Sequence, residues 1–239
     1  MPTINKISDH SENVYSQGST SLAASAATTN GTHVGGSSTN LISTYFQHST
    51  FSLYFNYRSF LSFDLSGESG TVTGVTLTVM RQNSATTPIL HCLASEASDD
   101  VATTDYQDGL VGATGYPFTD DVTKFSDSGV NMNADGGGDG DQVTFTFNAA
   151  AVTHANAVIG SGKFKVAIVN QFDLNNTYGS SGLGNSFGVQ GAFFNSTQDS
   201  TTGNHPILNV TTAAAAAPQR FTKLNSGNLI VNSGTLIIK

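Results

Sequence analysis

Asp135, Asp139 and Asp141 alternate with glycines in Asn133-Ala134-Asp135-Gly136-Gly137-Gly138-Asp139-Gly140-Asp141. A chain this flexible can wrap oxygen ligands round a hard cation, and Ca²⁺ takes about 6 to 8 of them. The spacing completes no EF-hand, because no Glu closes the loop. Two readings stand: a structural calcium on Asp135, Asp139 and Asp141, or a solvated hairpin loop. A second acidic-amide loop, Asp173-Leu174-Asn175-Asn176, offers the same chemistry with fewer carboxylates. No other cofactor is expected.

Other chemistry is sparse. His10, His33, His48, His91, His154 and His205 are scattered singly, with no His-x-His or HExxH spacing. Paired carboxylates for glycoside hydrolysis must face each other across a cleft, and nothing marks two of these Asp residues as such a pair. There is no GxSxG elbow and no Walker loop. The chain therefore reads as non-enzymatic, with no catalytic residues to name. Arg58 and Asp64 lie six residues apart on one strand parity, about 20 Å if extended, so they are not expected to pair. Asp64 is read as a turn former and Arg58 as an edge charge that blocks strand addition.

The elements that would carry these residues are strands. In RSFLSFDLSGESGTVTGVTLTVM, residues 58 to 80, an aromatic strand ends in an FDL turn. A Gly-Ser turn follows, then a strand in which Val75, Leu77 and Val79 alternate with Thr76, Thr78 and Met80. Period-2 alternation marks a half-buried antiparallel strand. Upstream, Phe51, Leu53, Phe55 and Tyr57 share a parity, which predicts two packed strands or one long strand bent at Asn56-Tyr57. Weaker strand signals sit at 13 to 16 and 41 to 47. Further runs are ILHCL after Pro88 and an NSATT turn, VTFTF at 143 to 147 with Val143, Phe145 and Phe147 inward, KFKVAIV at 163 to 169, FGVQGAFF at 187 to 194 and HPILNVTT at 205 to 212. One helix is expected, capped by Asn148, running through Ile159 and stopped by Gly160. Between Glu96 and Asp141 lies a long polar excursion holding most of the acids, and loops of that length in a compact domain are often functional.

Composition limits the partners. With 239 residues, only 11% of them charged, the chain suits one large β domain of Thr-rich strands and Gly/Asn/Ser loops. A net charge of −8 argues against nucleic acid, because phosphate affinity needs clustered Lys and Arg. The opening MPTINKISDHSENVYS has no apolar leader, and no stretch reaches the roughly 20 apolar residues of a membrane-spanning helix, so no membrane insertion is expected. There is no Trp for sugar stacking, although 7 Tyr and 15 Phe leave other aromatic platforms. The lone Cys92 excludes an intrachain disulfide and is read as a small buried hydrophobe.

The far end differs from the body. Five alanines, 213 to 217, precede Pro218, and the tail repeats itself: Asn225-Ser226-Gly227-Asn228-Leu229-Ile230-Val231, then Asn232-Ser233-Gly234-Thr235-Leu236-Ile237-Ile238. Each copy is a turn followed by a short apolar strand. A lone hairpin is marginal in water, so the tail is expected to pair with the sandwich edge, with symmetry mates or with another protein. Arg220, Lys223 and Lys239 stand there without an acid, which leaves residues 1 to 217 with 6 basic and 17 acidic residues, net −11. Residues 218 to 239 are thus read as an assembly arm, with Arg220, Leu224, Leu229, Ile230, Val231, Leu236, Ile237 and Ile238 as its contact residues.

The segment from Arg58 to Met80 resembles the opening core of DNRLRE-type β-sandwich domains, which are similar to jelly-roll carbohydrate-binding modules. VTFTFNAAAVTHANAVIGSGKFKVAIVNQFDLNN resembles the family's strand, short Asn-Ala helix, strand and Asp/Asn-rich loop, and HPILNVTT resembles its closing strand. The likeness covers roughly residues 10 to 212; the acidic excursion departs from it in lacking tryptophans. It implies an all-β, antiparallel jelly-roll-like β-sandwich with one short helix over 1 to 212, an Ala linker at 213 to 217 and a C-terminal β-hairpin or β-strand arm. Such domains occur in secreted polysaccharide-associated proteins, cell-surface proteins and phage virion proteins, so architecture follows more firmly than function. The expectation is a structural protein of a phage virion, a decoration, fibre or tail-associated subunit. It would form a homo-oligomer and meet other virion proteins through its arm, with a host-surface glycan as a further partner. The alternatives are a secreted carbohydrate-binding module or adhesin, or an extracellular filament subunit.

Overall fold

The computed structural model describes residues 1–18, 32–34, 40–48, 53–85, 89–99, 101–102, 104–113, 118, 121–132, 140–175 and 189–214. These residues form an all-β sandwich of two antiparallel sheets. The first sheet holds β1 (Thr3–Ile7), β12 (Ile207–Thr212), the first part of β6 (Val72–Ala85) and β9 (Gln142–Thr146), in that order.

The second sheet is built on β5 (Leu53–Asp64). One of its edges carries β2 (His10–Gly18), to which β3 (Thr32–Val34) adds. Its other edge is shared. Leu53 to Asn56 pair with β4 (Asn40–His48), whereas Ser59 to Asp64 pair with β10 (Lys163–Asn170). Beyond β10 come β7 (Ile89–Ala94) and the two-residue β8 (Val130–Asn131), and beyond β4 comes β11 (Val189–Asn195). β6 joins both sheets, because after Met80 it leaves β9 and pairs with β11 through a register shift between Phe193 and Phe194.

The long aromatic run is therefore one continuous strand that changes partner at Asn56 to Ser59, where the sequence predicted a bend. β5 and β6 do not pair with each other. They lie in opposite sheets, joined by an arch in which Asp64 Oδ1 accepts from the Ser66 amide at 2.8 Å, the expected turn role. Hydrogen bonds from Ser66 hold the exposed Asp64 carboxyl below its ordinary range. β6 also runs through Asn83-Ser84-Ala85, the start of the predicted NSATT turn.

Alternation explains the inter-sheet core. Leu61, Phe63 and Leu65 face Val75, Leu77 and Val79 across the sandwich, with Phe145, Phe164, Phe194 and Leu208 completing it. Val143 and Phe147 join as expected, and Cys92 is a buried apolar filler whose thiol burial pushes up. One end is closed by the only helix longer than a single turn among the described residues, Ala149–Val158. Asn148 caps it, its side chain accepting from the Ala150 and Ala151 amides. Ala151 and Ala155 are its buried residues. Gly160 ends it at φ +81°, a left-handed conformation that favours glycine, and its amide donates to Leu65 O at 2.9 Å. The Asn156 side chain both accepts from the Val72 amide (2.8 Å) and donates to Val72 O (3.0 Å), so the helix is stitched to the start of β6.

Candidate functional site

The acidic excursion is a packed cover. The outer face of the second sheet presents Val14, Phe60, Leu93, Ala167 and Val169, and residues 97 to 122 lay Ala97, Val101, Tyr106, Leu110, Phe118 and Val122 on it as a second hydrophobic core. β10 is thus buried on both faces along its second half, which is why KFKVAIV passes from alternation into a continuous apolar run. The cover is closely fitted. A Cβ on Gly112 (φ +84°) would sit 2.2 Å from Asp121 O, so only glycine serves there.

Arg58 lies at the centre of this second core. It sits on the even parity of β5 with Phe60, wholly buried at 0% exposure. Its Nε donates to Asp173 Oδ2 at 2.7 Å and its Nη2 to Oδ1 at 2.9 Å, a bidentate fork. Its Nη1 donates to the Tyr106 carbonyl. The guanidinium carbon is 3.9 Å from the Tyr106 ring centre and 4.5 Å from that of Phe118, within cation–π range. Tyr106 comes from the single turn Asp105–Asp108 and Asp173 from the turn Gln171–Leu174, whose N-cap Asn170 accepts from the Phe172 amide. The Tyr106 hydroxyl accepts from Asn56 Nδ2 at 2.7 Å. Burial pushes that phenol far above its ordinary range.

The expectation that Arg58 is an edge charge is therefore overturned. β5 is an interior strand, and a cation there must carry its counter-charge with it. Arg58 does avoid Asp64, as expected. The calcium reading of the Asp173 loop also fails at its carboxylate, because both Asp173 oxygens are engaged by Arg58. This hub went unread although a signal existed: one Arg inside the apolar run YRSF and one Asp inside QFDL are charges that a buried strand and its neighbour must pair.

Of the expected calcium ligands, Asp135 and Asp139 lie outside the described residues. Asp141 is at the mouth of β6, its side chain 57% exposed and 3.2 Å from Arg81 Nη2. Arg81 is buried and also donates to the Met132 carbonyl, and its backbone exchanges hydrogen bonds with Gly140 and Asp141. The loop's exit is thus clamped onto β6 by an arginine. Among the described residues no group of three His, Cys, Asp or Glu could hold a metal ion.

Further polar groups lie around the two cores. Lys163 pairs with Asp9 and, at 2.9 Å, with Asp99, which also meets Lys165 at 3.4 Å. The hydrogen bond from Lys163 holds the Asp99 carboxyl below its usual range. His91, on β7, and His154, on the helix against the Phe125 and Phe164 rings, each have one buried ring nitrogen without a partner among the described residues. Burial lowers both their pKa values, with Lys124 adding to the effect at His91.

At the other end of β5 the inward parity carries Phe55 and Tyr57, joined by Tyr15 of β2, all half-buried, with ring centres 4.9 to 6.4 Å apart. Burial and the neighbouring Tyr15 push the Tyr57 phenol up to about 12. The arm residues Arg220, Leu224, Leu229, Ile230, Val231, Leu236, Ile237 and Ile238 lie outside the described residues. No family model matches the chain, and no curated protein matches it.

Proposed function

We propose that the protein is a non-enzymatic structural subunit of a phage virion, a decoration, fibre or tail-associated protein that assembles through residues 218 to 239. One observation carries this reading: a terminal segment of charge +3 that repeats Asn-Ser-Gly-x-Leu-Ile follows a body of charge −11. The body suits such a role, since its charged groups are used in fixing its own cover. Arg58 and Arg81 are both buried and bonded. Strand exchange through the arm supplies main-chain hydrogen bonds, and identical subunits favour closed symmetry. Asp135, Asp139 and Asp141 stay the loop's candidate calcium ligands, Asp141 meeting Arg81 through one oxygen with its side chain more than half exposed. Electron microscopy and sedimentation of the full chain beside a variant lacking residues 218 to 239 test the assembly. Loss of assembly in the variant alone supports the arm; assembly unchanged refutes it.

A second reading, a glycan-binding module or adhesin, draws on the Tyr15, Phe55 and Tyr57 cluster, since stacked rings suit sugar faces. Glycan-array binding that is lost on Tyr15→Ala would favour it, and a blank array would leave the structural reading ahead.

A further inference from the structure

We infer that the arm of one copy is received by the outer edge of β1 in a second copy, an inference that rests on the assembly reading above. β1 has β12 on one side and, among the described residues, no strand on the other. Its free groups can be assigned. Thr212 N donates to Pro2 O at 3.0 Å and Ser8 N to Pro206 O at 2.9 Å. In an antiparallel ladder the bonded pairs alternate, so Ile4 and Lys6 face β12. Thr3, Asn5 and Ile7 therefore turn their amides and carbonyls outward.

Three observations mark this edge as an acceptor. First, Met1 and Ile7 are the large apolar side chains left exposed among the described residues, at 86% and 51%, and they flank β1. Second, the one charge on β1, Lys6, which could guard an edge, is drawn aside into an ion pair with Glu68 at 2.5 Å. Third, an open groove of about 480 Å³ lies at the start of the strand, where the described chain leaves the sheet, lined by Pro2, Ile4, Glu68, Gly70, Thr212 and Ala214.

The occupant follows from where the described chain leaves the sheet. Ala214 emerges beside the first residues of β1, because Ala213 N donates to Thr71 O and Thr212 N to Pro2 O. An arm folding back antiparallel onto its own β1 would first have to traverse that strand, roughly 17 Å for five residues. An arm arriving from a second copy has no such constraint, and its +3 charge meets a −11 body. Leu229-Ile230-Val231 and Leu236-Ile237-Ile238, three residues each, fit within the five residues of edge on offer.

Sedimentation of the full chain and crosslinking between two tagged batches test this. One batch carries Asn5→Cys, the other Ile230→Cys; the native Cys92 is fully buried and does not compete. A disulfide product bearing both tags is expected. Asn5→Pro, which deletes an outward amide and no bond to β12, is expected to weaken self-association by roughly tenfold or more with the melting temperature held. Should proline unsettle the fold, Ile7→Lys on the exposed edge is expected to give the same weakening. If Ile230→Asp with Ile237→Asp abolishes association while Asn5→Pro and Ile7→Lys leave it intact, the arm assembles the protein but β1 is not its acceptor. Self-association with no disulfide product bearing both tags also overturns the inference. If the double Asp variant still associates, the assembly reading itself falls.

Discussion

One strand, β5, feeds two cores of opposite character. Its odd residues Leu61 and Phe63 enter the inter-sheet core, which aromatic and aliphatic side chains fill, with the buried Arg81 at its margin bonded to the Met132 carbonyl. Its even residues Arg58 and Phe60 enter the core beneath the cover, where a guanidinium, a carboxylate and two aromatic rings share the centre. The difference follows from what closes each core. A facing sheet offers an alternating apolar partner at every second residue. An irregular excursion offers scattered contacts, and a five-donor fork reaching a carbonyl, a carboxylate and two rings can draw separate segments to one point. A buried ion pair is weak grounds for stability in itself, yet removing one partner strands the other.

The largest expected effect breaks that asymmetry. Asp173→Ala leaves Arg58 buried without its counter-charge and should cost about 3–5 kcal/mol by denaturant titration. Arg58→Met combined with Asp173→Leu should recover much of the loss, since neither charge is then stranded. A single variant costing under ~1 kcal/mol would mean that water or another acid reaches Arg58. In the dry core, Leu77→Ala should cost about 3 kcal/mol through lost burial and a cavity, with no partner substitution able to restore it except one that refills the volume.

Acid should weaken the body in two steps. His91 and His154 have folded pKa values below the ordinary 6.5, so between those values and 6.5 the unfolded chain binds more protons. Their contribution is complete above 6.5 and is lost as pH falls through that window. Asp64 and Asp99, whose carboxyls are held below 3.8, keep their contribution down to that value and lose it below. Melting temperature against pH checks both steps, and His91→Gln with His154→Gln should flatten the first. The smallest effect is expected of Asp141→Asn, under ~1 kcal/mol, because that carboxylate is more than half exposed and solvent screens its pairing with Arg81.

The two regions were not equally legible in the sequence. Val75, Leu77 and Val79, the Asn148 cap and the Gly160 stop announce themselves through local rules of period and capping, and the inter-sheet core follows from them. The cover does not, because its apolar residues, among them Val101, Tyr106, Leu110 and Phe118, have no regular period. They belong together only through a surface that β2, β5, β7 and β10 assemble from distant parts of the chain. Arg58 and Asp173 are 115 residues apart. Period-2 reading leaves Arg58 off the parity of Leu61 and Phe63, and the expectation of an edge charge fails because β5 is paired on both sides. Local pattern cannot show that a face is covered when the covering segment is itself irregular.

Hydrogen exchange on the native protein and on Asp173→Ala tests the central claim, that the cover is a distinct core pinned through Arg58. In the variant, amides bonded within the cover, such as Glu96, Gly109, Val111 and Thr123, should lose protection, while those of β12 and the first part of β6 keep theirs. Equal loss in both regions, or no loss in the cover, would contradict it.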